Sequence, residues 1–206
     1  MLEHVPQWLG AMLRGVRAGH SKLAIVNPDL NVGSESLELE SPAFAYGARL
    51  PERFTADGEG VSPPLLWRNP PEGTACFALI VEDPDAPAPY PFVHAIVWHI
   101  PPDVRRLAEG AIAPDGKGAA SGDVGRNSFY TEGWLPPDPP TGHGSHDYVF
   151  QLFALSATPE LSATPGRAAV VEAMAGKVLA AGILVGTYSR GEPSGLARDF
   201  RDAVPT

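Results

Sequence analysis

The sequence predicts a mainly β domain. Two observations carry that prediction: three long apolar runs with strand character, and a Pro- and Gly-rich texture that leaves room for few helices. The runs are "TACFALIVED", "FVHAIVWHIP" and "DYVFQLFAL" (residues 147–155), rich in branched and aromatic side chains. The chain of 206 residues holds 23 prolines and 22 glycines, with 44% hydrophobic and 19% charged residues. That composition is globular, and the length suits one domain with a sizeable core better than two.

The elements follow in order. Residues 1–40 read as an N-terminal extension and 41–206 as the domain proper. In the extension, Trp8, Leu9, Met12, Leu13 and Val16 fall at helical spacing, which predicts a short amphipathic helix. Its apolar stripe needs something to pack against, either its own domain or a second copy, so a homodimer is one expectation. The following "NPDLNVGSESLELESPAF" reads as a polar, turn-rich linker with a short strand near Leu37 and Leu39. The first two long strands come next, then a Gly/Pro-rich segment over 108–145, then the third strand. A second helix is expected with Thr164 as cap, Pro165 in the first turn, and Val170, Val171, Met174, Val178 and Leu179 on its apolar face. Gly182 is expected to end it, and "ILVGTY" reads as the last strand.

Several classes are excluded by the same numbers. A net charge of −9 without a basic stripe argues against nucleic-acid binding. No apolar run approaches the ~20 residues that span a bilayer. Glu3, Arg14 and Arg17 interrupt the N-terminus, so no secretory pattern forms and a cytoplasmic protein is expected. Cys76 is the one cysteine; it sits inside a strand run, so it reads as a buried structural thiol.

Strand period decides which polar side chains can converge. His146, Tyr148 and Phe150 share one face, and Asp147, Val149 and Gln151 the other, so Ser145, His146 and Asp147 cannot form a hydrolytic triad. The same alternation puts His94, Ile96 and Trp98 together. A site at the strand ends then combines His94, His146 and Tyr148 with Asp83 and Asp85 from the loop after the first strand. Imidazole and phenol groups donate hydrogen bonds, aspartate fixes a tautomer, and the glycines of "PPTGHGSH" can turn backbone N–H groups toward an anion. Structural roles for each histidine are the competing reading. His143 and His146 have a metal-like spacing, but in a glycine loop the two need not face one another, so no metal or other cofactor is expected. A glycosidase-like use of Asp83 and Asp85 is weaker still.

"DPDAP" (83–87), "HAIVWHIP" (94–101) and "PPTGHGSHDYVFQLFAL" (139–155) resemble the phosphatidylethanolamine-binding protein family, especially its bacterial branch of Raf kinase inhibitor-like proteins. "SPAFAYGARLPERFTADGEGVSPPLLW" (41–67) and "LAAGILVGTYSR" (179–190) are similar to that branch's opening and closing segments. The resemblance implies a β-sandwich of two antiparallel sheets with a few peripheral helices, and an anion pocket at one end. Carried over by position, the pocket holds Asp83, Asp85, Pro87, His94, Pro140, His146 and Tyr148, with Tyr90 a looser candidate. Three departures stand out. Asp147 replaces an arginine usual in the family, Phe92-Val93 makes the rim more apolar, and Trp134-Leu135 lengthens the loop before the second pocket half.

The expected function is therefore non-catalytic binding of a phosphate, carboxylate or phospholipid head group. Inhibition of a protease or kinase through loops of 108–145 is the alternative. A hydrolase is a weaker one, since no nucleophile and base share a strand face.

Overall fold

The computed structural model describes residues 7–33, 35–114 and 122–190. The parts of the expected extension, loop and domain at 1–6, 34, 115–121 and 191–206 lie outside the described residues. Two antiparallel sheets form the body, as the resemblance implies. Strands β1 (Glu38–Glu40), β2 (Leu65–Arg68) and β5 (Arg106–Leu107) make the smaller sheet, in the order β1-β2-β5. The larger sheet runs β6-β4-β3-β7-β8, from β3 (Cys76–Asp83), β4 (Phe92–Ile100), β6 (Asp123–Val124), β7 (His146–Leu155) and β8 (Val178–Tyr188).

The core between the sheets is fed by alternate residues. Leu39, Leu65 and Trp67 of the small sheet meet Phe77, Leu79, Val81, Tyr148, Phe150 and Leu152 of the large one. The other face of the large sheet is equally apolar, which is why β3 and β7 read as continuous runs rather than alternating ones. Helix α2 (Arg167–Met174) covers part of it, with Val170, Val171 and Met174 against Ala78, Ile80, Ile96 and Phe153. Fully burying side chains of this kind stabilises by ~1.5–3 kcal/mol each. The thiol of Cys76 lies in the same layer, and burial pushes it up.

Residues expected to belong to the N-terminal extension join that outer layer. Ala24 and Leu30 are buried in it among short 3-10 turns, and Leu23 packs on Val149 and Val185. Helix α1 (Gln7–Leu13) behaves differently from its apolar stripe: Trp8, Met12 and Val16 are exposed, while Gly10 is buried.

Two sequence expectations are corrected. Helix α2 starts after Gly166, without a side-chain cap from Thr164, and ends at Met174. Val178, Leu179 and Gly182 are strand residues of β8, because pairing with β7 from His146↔Tyr188 to Leu155↔Val178 outweighs a helical pattern. On β4, Ala95 pairs with Val81 but Val93 pairs with Glu82, so two β4 steps oppose one β3 step and His94 sits in a bulge. Simple alternation therefore fails: Ile96 and Trp98 face the outer layer, whereas His94 lies with Tyr148 on the inner side.

Candidate anion-binding site

The end of β3, the start of β4 and the start of β7 bring the candidate residues together. The Asp83 carboxylate accepts from His146 Nδ1 through Oδ2 at 2.7 Å, and from the Asp85 N–H through Oδ1 at 2.8 Å. Burial pushes the Asp83 carboxyl up, but the charge and hydrogen bond of His146 outweigh it and hold it below its ordinary value. His94 stands beside Tyr148, ring centroids 5.1 Å apart. Its Nδ1–H donates to the Leu135 carbonyl at 2.7 Å, while the Leu135 N–H donates to the His94 carbonyl at 2.8 Å. The His94 Nε2 is buried and has no hydrogen-bond partner among the described residues. Burial drives this imidazole down, against Asp83 and Leu135, so it is the neutral form that sits here. The Tyr148 hydroxyl is pushed well up by burial and by Asp83, which keeps its proton in place.

The loop before β7 contributes a residue that the candidate pocket did not include. Pro140 accepts from the His143 N–H at 3.1 Å, closing a turn in which Gly142 takes a φ of 85°. That turn aims His143 at His146, with Nδ1 and Nε2 2.7 Å apart. The two imidazoles thus face one another, which a glycine loop permits without requiring it. They are joined by a hydrogen bond.

Asp85 and Asp147 point to the other side. Arg17 pairs with Asp85 and also donates to the Ser145 carbonyl at 3.2 Å, and the second Asp85 oxygen accepts from the Asp147 N–H at 2.8 Å. Asp147 faces away from the His146 ring, as the strand period requires, and pairs with His20 at 3.2 Å. His20, Asp85 and Asp147 could offer three ligand atoms within 4.8 Å of one another. The Arg17 guanidinium already supplies positive charge to that group. Arg17, from the N-terminal segment, thus brings positive charge to the surface where Asp147 stands in place of the family's arginine.

Of the remaining candidates, Pro140 is buried and shapes the His143 turn, and Pro87 is half-buried at the end of the Asp83 loop. Tyr90 is exposed, with Lys22 Nζ 5.7 Å above its ring, and is not drawn into the cluster. Trp134 neither lids nor leaves the site. It is buried, stacked on Phe150 at 6.2 Å, and carries Leu135 onto His94. Behind it, Arg190 binds Asp57, Asp138 and the Pro139 carbonyl, which fixes the approach to Pro140. Sequence reasoning missed His143 as a neighbour of His146, and Leu135, Arg17 and Leu13 altogether. Three of these act through a backbone carbonyl or from more than a hundred residues away, where residue type gives no signal.

The model of the family described as phosphatidylethanolamine-binding protein matches residues 40–189. The chain belongs to that family. A UPF0098 protein of Aquifex aeolicus is 40% identical over 170 residues, covering 81% of this chain and 96% of the relative. Among solved structures, a phosphatidylethanolamine-binding protein homologue from Chlamydia trachomatis is 34% identical, covers 76% of this chain and 99% of its own, and superposes with a TM-score of 0.68. YbcL of E. coli, described as a member of the mammalian family, is 28% identical with 75% and 99% coverage and a TM-score of 0.70. Asp83, His94, His143, His146 and Tyr148 all lie inside the segment matched by the family model, whereas Leu13, Arg17 and His20 precede it. No helix among the described residues is long and apolar enough to cross a membrane.

Proposed function

We propose that this member of the phosphatidylethanolamine-binding protein family binds a small oxyanionic head group, phosphate or carboxylate, between His94, Tyr148 and His146, without turning it over. The observation that carries this reading is the unpartnered Nε2 of His94. Leaving a buried polar atom unsatisfied costs ~1–3 kcal/mol, so a ligand that reaches it recovers that cost on binding. With Nδ1–H committed to Leu135 and the ring neutral, Nε2 is an acceptor; Tyr148 keeps a hydroxyl that donates. A ligand suited to both carries a hydroxyl and an oxyanion on one centre, as a monoprotonated phosphate does. Repulsion by the two aspartates is muted, since Asp83 is matched by His146 and Asp85 by Arg17. An apolar rim favours an organic substituent on the ligand: Phe92 lies edge-on to His94 at 5.4 Å and to Phe129 at 5.3 Å.

Calorimetry with inorganic phosphate and phenyl phosphate between pH 8 and 6 tests this. Binding strengthens as pH falls, because phosphomonoesters take up their second proton near pH 6, and phenyl phosphate binds the tighter of the two. His94→Ala and Tyr148→Phe each weaken binding about tenfold, the equivalent of one ~1.4 kcal/mol hydrogen bond. Unchanged affinity in His94→Ala, or a flat or reversed pH dependence, sinks the reading.

A further inference from the structure

We propose that helix α1 is a built-in competitor for the anion site, linked to it by His143 and displaced when an oxyanion takes His146. The inference rests on the anion reading above and adds the regulation of that same site. Its starting point is that His146 has no nitrogen left for a ligand. Nδ1 is bonded to Asp83 and Nε2 to His143, both at 2.7 Å. The far nitrogen of His143 is committed too, since Nε2–H donates to the Leu13 carbonyl at 2.8 Å. Leu13 is the last residue of α1, so an unbroken chain runs from Asp83 through two imidazoles to the helix end.

Counting hydrogens along that chain shows what it holds. Its two ends are a carboxylate and a carbonyl, which only accept, so His146 Nδ1 and His143 Nε2 each carry a hydrogen. The middle bond needs a third, one more than two neutral imidazoles possess. Burial and the neighbouring His146 hold His143 below its ordinary value, and Asp83 is held ionised. The surplus hydrogen therefore lies in the middle bond, and the imidazole pair carries one positive charge beside Asp83. The pair thus already holds the charge that an anion needs, with the outward nitrogen of His146 occupied by His143. An oxyanion oxygen arriving at that nitrogen accepts its hydrogen bond in place of His143 Nδ1, and the link to Leu13 loses its fixed end.

The hold on α1 is local, and the chain beyond it is anchored separately. Arg14 donates to the Gly142 carbonyl at 3.1 Å, and Gly10 lies so close to the same loop that a Cβ there would sit 2.2 Å from the Thr141 carbonyl oxygen. Past Gly15, whose surroundings are open, Ala18 and Gly19 donate to the Ala86 and Pro84 carbonyls at 3.0 and 2.8 Å, and Arg17 holds Asp85. Helix α1 can therefore swing about Gly15 while Arg17 stays on Asp85. Coupling of this kind is reciprocal: whatever loosens α1 tightens the anion, and the anion loosens α1.

Two variants of the full chain test it against wild type. His143→Ala removes the link. Gly10→Ala wedges α1 off the backbone of residues 141 and 143 while improving helix propensity, so it undocks the helix without weakening it or removing a side chain of the site. Phosphate affinity is read by calorimetry and amide hydrogen exchange at residues 8–14, with 20–30 as internal reference. Both variants are expected to bind phosphate about tenfold tighter and to exchange faster at 8–14, and phosphate should speed exchange at 8–14 in wild type. Should His143→Ala fail to fold, Gly10→Ala carries the test alone. Phosphate binding with equal or weaker affinity in the variants overturns the coupling and leaves the anion reading standing. No phosphate binding in any of the three proteins overturns the anion reading, and the coupling with it.

Discussion

Glu82 and Asp83 are consecutive carboxylates at the end of β3, and the pleat sends them to opposite faces of the same sheet. On the outer face Glu82 is fully enclosed. Its Oε2 accepts from the Ala24 N–H and from Gln151 Nε2, both at 2.8 Å, and Arg167 binds its other oxygen. These partners come from the N-terminal segment, β7 and α2, so one buried charge pins three parts of the chain. Asp83, on the inner face, begins a chain of imidazoles instead, beside a nitrogen with no partner among the described residues. The first cluster ends in fixed groups and is complete. The second ends in groups that can exchange a proton or a partner, which is what a binding site requires.

The sharpest way to break this contrast is at Glu82. Replacing it with alanine leaves Arg167 and Gln151 facing a void, and losing one member of a buried ion pair costs about 3–5 kcal/mol. For a chain of this size that is a fall of roughly 10 °C in Tm. Phosphate affinity measured well below the transition should stay as in wild type. A Tm within a degree or two of wild type would show that the outer cluster does not hold the layers together.

Asp83→Asn has the next largest effect, and a different pH signature. At neutral pH it removes the counter-charge of His146 and costs about 1–3 kcal/mol. Asp83 lies below its ordinary value when folded, so its contribution is complete above the unfolded value near pH 4 and is lost as pH falls through the folded one. Urea midpoints of wild type and variant should therefore differ at pH 7 and converge in strong acid. A gap that is as wide in strong acid as at pH 7 would mean that Asp83 is not the ionised partner of His146.

How much of this was legible in the sequence follows the same division. Period-two alternation placed His146 and Tyr148 together and Asp147 apart, because β7 pairs without a shift from His146 to Ala154. It misjudged β4, where the bulge at His94 inverts the faces, and a bulge leaves no mark in residue type alone. The family pattern still chose His94, since position along the chain survives a bulge even when facing does not. The link from His146 to His143 and Leu13 was beyond reach for another reason. It depends on where one turn aims a ring and on a backbone carbonyl about 130 residues away. The reading of α2 failed at its C-terminal end because small and branched residues after Met174 suit either state, and pairing with β7 decides between them.

The smallest predicted effect isolates His94 from everything bound to Asp83. Its imidazole is held below its ordinary value, chiefly by burial, so the folded protein refuses a proton that the unfolded chain accepts near pH 6.5. Protons bound to the unfolded state alone make stability fall as pH drops below that value, by at most ~1.4 kcal/mol per pH unit for each such group. His143, also held low, acts with the same sign, while the partners of Glu82 in the outer cluster include no histidine. Thermal melts between pH 7.5 and 5.5 should thus slope downward in wild type and less steeply in His94→Gln. Equal slopes would mean that His94 does not titrate on unfolding. Its Nε2 would then be a donor in the folded state, and the site would select a fully ionised ligand instead of one that carries its own hydroxyl.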